Sequence, residues 1–441
     1  MGNHEKKGLN ISVRSFITAI AVLFFLMILT YTLTFIVPGG YIPFWKWIFS
    51  PVLVLGGEDN VSLIAVIAFL LVIGGVFNCL DKCGLMKYML DKITYRYGKE
   101  RYKLLALVTL FFMTLGAFIG SFEECVPLVP IVVALAIRLG WDALVGLGMS
   151  ILAIGCGFAS GICNPFTVGV AQELSGLPMF SGMWFRAVSF VLIYALLIVF
   201  LYRYAKRIEK PMETKIVSEE FVDDKQMNKG LVCFASLMGL GIAVVLSSVI
   251  ITALQDYTMI IVALTFLLAG MIASAISGHG DNLGLMFWHG LTSVLPAVLM
   301  ILMANSIKYT MVEGNVLDTI LNGAISIAET LPRWSVILFI YLIALVMNFF
   351  ISSGSAKAFL LMPLIVPIAE VFGISAQLCV VAYAFGDGFS NVFYPTNPVL
   401  LISLGLADVS YGKWAKWSCK FQMLNLLLTS GLLLLGLVIG Y

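Results

Sequence analysis

Charge is scarce in this chain of 441 residues, where Asp, Glu, Lys and Arg together make up 11% of the sequence. Soluble domains carry about 25% charged residues. The longest hydrophilic stretch covers residues 203–229 and is too short to fold as a soluble domain of its own. The shortage of charge therefore excludes an ordinary soluble protein.

Several kinds of functional site are missing as well. The three histidines, His4, His279 and His289, are scattered along the chain and form no cluster or relay. No Gly-x-x-x-x-Gly-Lys-[Ser/Thr] loop is present, so energy from bound ATP is not expected. No paired Asp motif and no nucleophile–base spacing supports an enzyme. We therefore expect no catalytic residues, no metal centre, no nucleic-acid partner and no cofactor other than a coupling ion, Na+ or H+.

The eight cysteines do not change this expectation. Nearly all of them lie inside apolar segments, which is typical of buried reduced thiols rather than of disulfides. Cys79 and Cys83 are one helical turn apart, but no His or further Cys nearby completes a zinc site.

Hydrophobic sequence is abundant, at 61% of the chain, and it is arranged in long runs. Such runs are long enough to cross a hydrocarbon core of roughly 30 Å as helices. They predict an all-α polytopic membrane protein, with the lipid bilayer as its main partner. The first run, from Phe16 to Val37, is too long for a cleaved signal peptide. Spanning helices are predicted at 16–37, 60–80, 184–205, 231–252, 257–277, 284–307 and 418–440.

The distribution of Lys and Arg predicts the orientation of these spans. Placing the N-terminus in the cytoplasm puts 21 of the 26 basic residues inside and four outside, with Lys357 within the membrane. Basic residues favour the cytoplasmic side of a membrane protein. The N-terminus is therefore expected inside and the C-terminus outside. Amphipathic segments at 82–101 and 313–331 are expected to lie along opposite membrane surfaces.

Two regions do not read as simple spans, and they match each other at an offset of 233 residues. Each contains a short apolar run, a small polar tip, a second apolar run, a glycine turn and a helix interrupted at Asn-Pro. The matched positions are Pro130 with Pro363, Gly140 with Gly373, Ala143 with Ala376, Gly155 with Gly388, and Asn164-Pro165 with Asn397-Pro398. A collinear series of this kind predicts an internal repeat. An odd number of crossings between the copies predicts that the repeat is inverted.

Within each copy the runs flanking the tip are short for a full crossing, so each pair is expected to form a re-entrant hairpin. The hairpins are predicted at 103–139 and 333–372, and the broken helices at 143–176 and 376–407. Proline lacks an N–H group and interrupts the helices at Pro165, Pro395 and Pro398. Paired broken helices in inverted repeats indicate a transport site near the middle of the bilayer.

The tips and breaks supply the candidate site residues. Helix N-termini attract carboxylates, whereas freed carbonyls at helix C-termini suit a small cation. The candidate substrate-binding residues are Ser121, Glu123, Glu124, Asn164, Thr167, Ser353, Gly354, Ser355, Lys357, Thr396 and Asn397. The coupling-ion candidates are Asn164, Asp387, Asn391 and Asn397.

Each of these assignments has a structural alternative. The small polar residues would then only satisfy backbone groups freed by the breaks. Glu124 and Lys357 occupy matching positions on the two tips, so they would form an internal ion pair rather than a pocket of mixed charge. Asp387 would cap neighbouring backbone rather than bind a proton or sodium ion.

Several strings resemble the YfcC family, which is related to the anaerobic dicarboxylate carrier DcuC within the wider ion-transporter superfamily. The sharpest are Asn164-Pro165-Phe166-Thr167-Val168-Gly169, Ser352-Ser353-Gly354-Ser355 and Phe385-Gly386-Asp387-Gly388-Phe389-Ser390. The resemblance covers nearly the whole chain. It implies a homodimeric secondary carrier with a mobile transport domain that moves like an elevator against a scaffold.

On that basis the chain divides into five parts. The transport domain comprises 103–182 and 333–410, and the scaffold comprises 1–102 and 183–332, followed by a C-terminal helix at 411–441. The expected function is secondary active transport of a small carboxylate-bearing metabolite, coupled to an ion gradient or to exchange. An amino acid, such as a basic amino acid in antiport, is favoured because the tips carry charges of both signs. A four-carbon dicarboxylate carrier of the DcuC type is the alternative. An ion channel is a rival from another class, because broken helices also build selectivity filters.

Overall fold

The computed structural model describes residues 13–56, 60–118, 120, 122–210, 224–247, 257–278, 282–328 and 330–441. Ser121 lies outside these ranges, and the side chains of Glu123, Glu124 and Pro165 are not described. All regular elements in the described part of the chain are helices. Nine helical segments of the described chain, three of which combine two of the helices named below, are long and apolar enough to cross a membrane. The predicted class, an all-helical polytopic membrane protein, is confirmed.

The helices follow the predicted order. The first group is α1 (Val13–Thr34), α2 (Phe44–Ile48), α3 (Ser50–Leu53), α4 (Asn60–Lys82), α5 (Leu85–Tyr97), α6 (Arg101–Phe118) and α7 (Val129–Arg138). Then come α8 (Ala143–Leu147), α9 (Ala153–Ser160), α10 (Val170–Leu174), α11 (Met183–Ile208), α12 (Lys225–Ser247), α13 (Thr258–Ile276), α14 (Leu283–Ser293) and α15 (Leu295–Glu313). The last group is α16 (Val316–Ala328), α17 (Arg333–Phe350), α18 (Gly354–Val371), α19 (Ala376–Asn391), α20 (Pro398–Leu406) and α21 (Tyr411–Ile439).

Two local features differ from the expectation. The predicted span 284–307 is interrupted, because α14 ends at Ser293 and α15 begins at Leu295. Pro296 lies in the first turn of α15 and has no N–H to continue the hydrogen bonding of α14. The short helices α2 and α3 were not predicted, since pieces of four or five residues carry little periodic signal.

Close packing of small residues positions the first broken helix. A β-carbon on Gly116 of α6 would lie 2.3 Å from the carbonyl oxygen of Ile154, and one on Gly157 of α9 would lie 1.8 Å from that of Met113. The backbones of α6 and α9 therefore touch where these glycines lie. Gly388 of α19 approaches α9 in the same way, since its β-carbon would lie 2.2 Å from the backbone nitrogen of Ala159.

We expect Gly157→Ala to lower the free energy of unfolding by about 1–3 kcal/mol, because the added methyl group meets backbone that cannot move aside. Thermal melting of the purified protein in detergent measures this. The matched control is Gly239→Ala in α12, where a β-carbon would meet nothing within 4 Å. Alanine there should be neutral or stabilising by about 0.5–1 kcal/mol, because it favours the helix. Equal melting temperatures for both variants would contradict the packing of α6 on α9.

Candidate substrate and ion site

The first break lies between Ser160 and Pro165. Gly161 ends α9 with a positive φ of 47°, a conformation that glycine adopts without strain. Asn164 is fully buried, and its Oδ1 atom accepts a hydrogen bond from the backbone N–H of Thr167 at 3.2 Å. The Asn164 side chain thus holds the backbone that restarts the helix after the break.

The first tip contacts this break directly. A β-carbon on Gly120 would lie 1.9 Å from Oδ1 of Asn164, and Gly120 has a φ of 73°. Only glycine fits both the conformation and the space at this position. The predicted convergence of tip and break in the first half is therefore present at Gly120 and Asn164.

The second break separates α19 from α20. Asn397 caps α20, because its Oδ1 accepts from the N–H of Leu400 at 3.2 Å. Its Nδ2 group donates to Oδ1 of Asn391, the last residue of α19, at 3.0 Å. Thr396 is buried, and its hydroxyl has no hydrogen-bond partner among the described residues. Pro395 lies in the turn, and Pro398 is the first residue of α20.

A buried ion pair joins the second tip to the second broken helix. Nζ of Lys357 lies 2.6 Å from Oδ1 of Asp387, and both side chains are 0% exposed. The structural alternative predicts Glu124 as the partner of Lys357; the side chain of Glu124 is not described, and the described partner of Lys357 is Asp387. A buried charge of either sign is costly unless it is paired in this way.

Asn348, near the end of α17, organises this pair. Its Oδ1 accepts a hydrogen bond from Nζ of Lys357. Its Nδ2 lies 3.1 Å from the carbonyl oxygen of Asp387 and 2.6 Å from Oγ of Ser390. Sequence reasoning missed Asn348. A single amide residue at the end of an otherwise apolar helix, immediately before a tip, was the available signal.

The two halves meet at Gly354, the first residue of α18. A β-carbon there would lie 2.3 Å from Cγ2 of Thr167 and 2.7 Å from Oδ2 of Asp387. Over the described residues, neither Oδ2 of Asp387 nor Oγ1 of Thr167 has a hydrogen-bond partner, although both atoms are buried. Buried oxygens without a hydrogen-bond partner are rare in proteins. Tyr383, also missed, donates its hydroxyl to the carbonyl oxygen of Gly354.

Ser353 and Ser355 of the second tip are less buried than Lys357. Ser353 is exposed and caps α18, with its Oγ 3.5 Å from the N–H of Ala356. Ser355 is half-buried. The predicted residues Ser121, Glu123 and Glu124 fall outside the described side chains. The buried part of the site is therefore formed by Asn164, Thr167, Lys357, Asp387, Asn391, Thr396 and Asn397, and Gly354 beside them is half-buried.

Two interrupted helices and the turn between α17 and α18 thus meet at a buried polar centre among helices that can span a membrane, an arrangement that suits a membrane transporter. The chain belongs to the DcuC family, because the model of that family, described as C4-dicarboxylate anaerobic carrier, matches residues 49–438. The predicted family is confirmed. The chain is accordingly a membrane transporter and not an enzyme.

Two relatives are similar over most of their length. One is named "Putative basic amino acid antiporter YfcC", from Escherichia coli, and is 30% identical over 87% of this chain and 80% of the relative. The other is an uncharacterized protein of Haemophilus influenzae, 25% identical over 86% of this chain and 76% of the relative.

Two solved structures are also similar in outline. The YdaH transporter of Alcanivorax borkumensis has a TM-score of 0.48 and 17% identity, covering 96% of this chain and 99% of that one. MtrF of Neisseria gonorrhoeae, described as illuminating a class of antimetabolite efflux pumps, has a TM-score of 0.47 and 15% identity, covering 94% of each chain.

Proposed function

We propose that this protein is a secondary active transporter for a small carboxylate-bearing metabolite, most favourably an amino acid exchanged in antiport. The observation that carries the proposal is the contact of Gly354 with both Thr167 and Asp387. It joins the break of one half to the tip and broken helix of the other. A substrate bound there would touch both halves, so its binding would be sensitive to their relative position.

Helix ends at this place suit the proposed substrate. The N-termini of α18 and α20 lie at the second tip and the second break, where free N–H groups and partial positive charge attract a carboxylate. The Lys357 ammonium is already paired with Asp387, so these N-termini are the main donors left for a substrate carboxylate. In this proposal Glu123 or Glu124 of the first tip binds the amino group.

The names of relatives favour two substrate classes. The Escherichia coli relative is named for basic amino acid antiport, which agrees with a site that binds a carboxylate and an amino group. The family description names C4-dicarboxylates, which the paired N-termini of α18 and α20 would also accommodate. We propose the amino acid first and the dicarboxylate as the second candidate.

The transport cycle is proposed to be an elevator movement of two inverted halves. The hairpins and broken helices of 103–182 and 333–410 would move together, while the remaining helices stay fixed in a homodimer. The excess of Lys and Arg in 82–103 and 203–229 supports a cytoplasmic N-terminus and an outward C-terminus in the bacterial plasma membrane.

Counterflow in proteoliposomes tests the substrate. Vesicles loaded with unlabelled arginine, ornithine, aspartate or succinate should accumulate the matching labelled compound, and protein-free vesicles should not. Accumulation of arginine or ornithine would support amino acid antiport, and accumulation of succinate alone would support the dicarboxylate carrier. Absence of counterflow for all four under sodium, proton and exchange conditions would reject both substrates. Sustained single-channel currents in a planar bilayer would instead favour a channel.

A further inference from the structure

The ammonium group of Lys357 lies in a cage of oxygen atoms. Oδ1 of Asp387 is 2.6 Å away, the carbonyl oxygen of Ile351 is 3.2 Å away, and Oδ1 of Asn348 completes the set. The set thus combines a carboxylate, a backbone carbonyl and an amide oxygen. Hard oxygen donors of these three kinds are the ones that bind small metal cations in proteins.

The position of Lys357 is not explained by the helix that carries it. Lys357 lies in the first turn of α18, where the helix dipole disfavours positive charge. Its ammonium group instead reaches the C-terminal end of α17, since Ile351 is the C-cap of that helix. Carbonyl groups at the C-terminal end of an interrupted helix favour a cation. The Lys357 ammonium group therefore lies at the C-terminal end of α17, where carbonyl groups favour positive charge.

The cage is held in place by its neighbours rather than by Lys357. Nδ2 of Asn348 contacts the carbonyl oxygen of Asp387, Oγ of Ser390 and Oδ1 of Asn391, at 2.6–3.1 Å. Nδ2 of Asn391 in turn donates to Oδ1 of Asp387 at 3.2 Å. These contacts turn Oδ1 of Asn348 and Oδ1 of Asp387 toward the ammonium group. The oxygens should keep their arrangement when the lysine side chain is shortened.

We propose that this cage is a binding site for a monovalent cation, namely sodium. In the native protein the ammonium group of Lys357 occupies the site as a covalently attached cation. The relevance of this site to ion coupling rests on the proposed transport function. The native carrier then needs no sodium ion at this place. A variant without the lysine amine would bind sodium there instead, because the buried Asp387 carboxylate would otherwise have no counter-charge.

Thermal melting of Lys357→Ala in detergent tests the cage without any substrate. In sodium chloride this variant should melt about 2 °C or more above its value in choline chloride of equal ionic strength, once sodium reaches roughly ten times its dissociation constant. The wild-type protein should melt at the same temperature in both salts. Potassium chloride serves as a second reference salt, in which a smaller rise is expected.

The matched control is Lys357→Ala/Asp387→Asn, which removes the charge that would bind sodium and should show no sodium response. A sodium response of equal size in this double variant would overturn the proposal. Lys357→Ser is measured in parallel in case the alanine variant is poorly recovered. The proposal is overturned if sodium chloride, compared with choline chloride, raises neither the melting temperature nor the purification yield of either single variant. Counterflow by the wild-type protein in such a case would leave the proposed function standing.

Discussion

Asp387→Asn is expected to lower the free energy of unfolding by about 3–5 kcal/mol, because it leaves the Lys357 ammonium buried without its counter-charge. Both side chains of the native pair are 0% exposed, so no water replaces the lost carboxylate. Equilibrium denaturation of the purified protein in detergent micelles measures the loss. It should be among the largest stability effects of any single polar substitution in this chain.

An exposed ion pair provides the matched control. Lys46 and Glu313 lie 3.2 Å apart, but their side chains are 38% and 41% exposed. Ion pairs of this kind contribute about 0–1 kcal/mol, because solvent screens them. Glu313→Gln should therefore have little effect. If Asp387→Asn cost no more than Glu313→Gln, the pair at the site would not be buried as the structure has it.

The double variant Lys357→Met/Asp387→Asn separates charge from packing. It removes both charges and keeps most of the side-chain volume, so most of the lost stability should return. A double variant as unstable as Asp387→Asn alone would show that the loss comes from the amide network around Asn348 and not from the unpaired ammonium.

The breaks and tips could be predicted from the sequence because each has a strong local cause. Proline lacks the N–H that a helix interior needs, so an Asn-Pro pair within a long apolar stretch predicts a break, and a short polar segment between two apolar runs predicts a turn. The described helices α17, α18, α19 and α20 accordingly begin and end near the predicted positions, and α9 ends at Ser160 before the predicted break. Asn164 and Asn397 are candidate site residues for the same local reason.

The ion pair could not be predicted in the same way, since it depends on distance in space. Lys357 and Asp387 are 30 residues apart in the chain, and the pattern favours a pocket of mixed charge, with an ion pair to the matching tip residue Glu124 as the alternative. The contact arises because α18 folds back on α19 and because Asn348 of α17 bonds to both members of the pair. No periodicity in the sequence encodes how three helices pack.

Asn164→Ala and Asn397→Ala are each expected to reduce counterflow at least about 100-fold, because each removes the side chain that shapes a helix end at the site. Oδ1 of Asn164 holds the N–H of Thr167, and Oδ1 of Asn397 holds that of Leu400. Without its bond at Asn397, the N-terminus of α20 that is proposed to bind the substrate carboxylate loses its alignment. Without its bond at Asn164, the backbone that places Thr167 against Gly354 is no longer held. Initial rates of labelled substrate uptake in proteoliposomes measure the effect.

Substitution of a second N-cap residue in the same broken helix distinguishes this loss of transport from a loss of stability. Oγ of Ser375 accepts from the N–H of Leu378 at 3.2 Å and caps α19 at its other end, as Asn397 caps α20. Ser375→Ala and Asn397→Ala should each cost about 1 kcal/mol of stability, since each removes one cap. Only Asn397→Ala should abolish transport.

Asn397→Ser restores a capping oxygen but not the amide donor to Asn391, so it should recover stability more than transport. Normal uptake by both Asn164→Ala and Asn397→Ala would show that the substrate binds elsewhere.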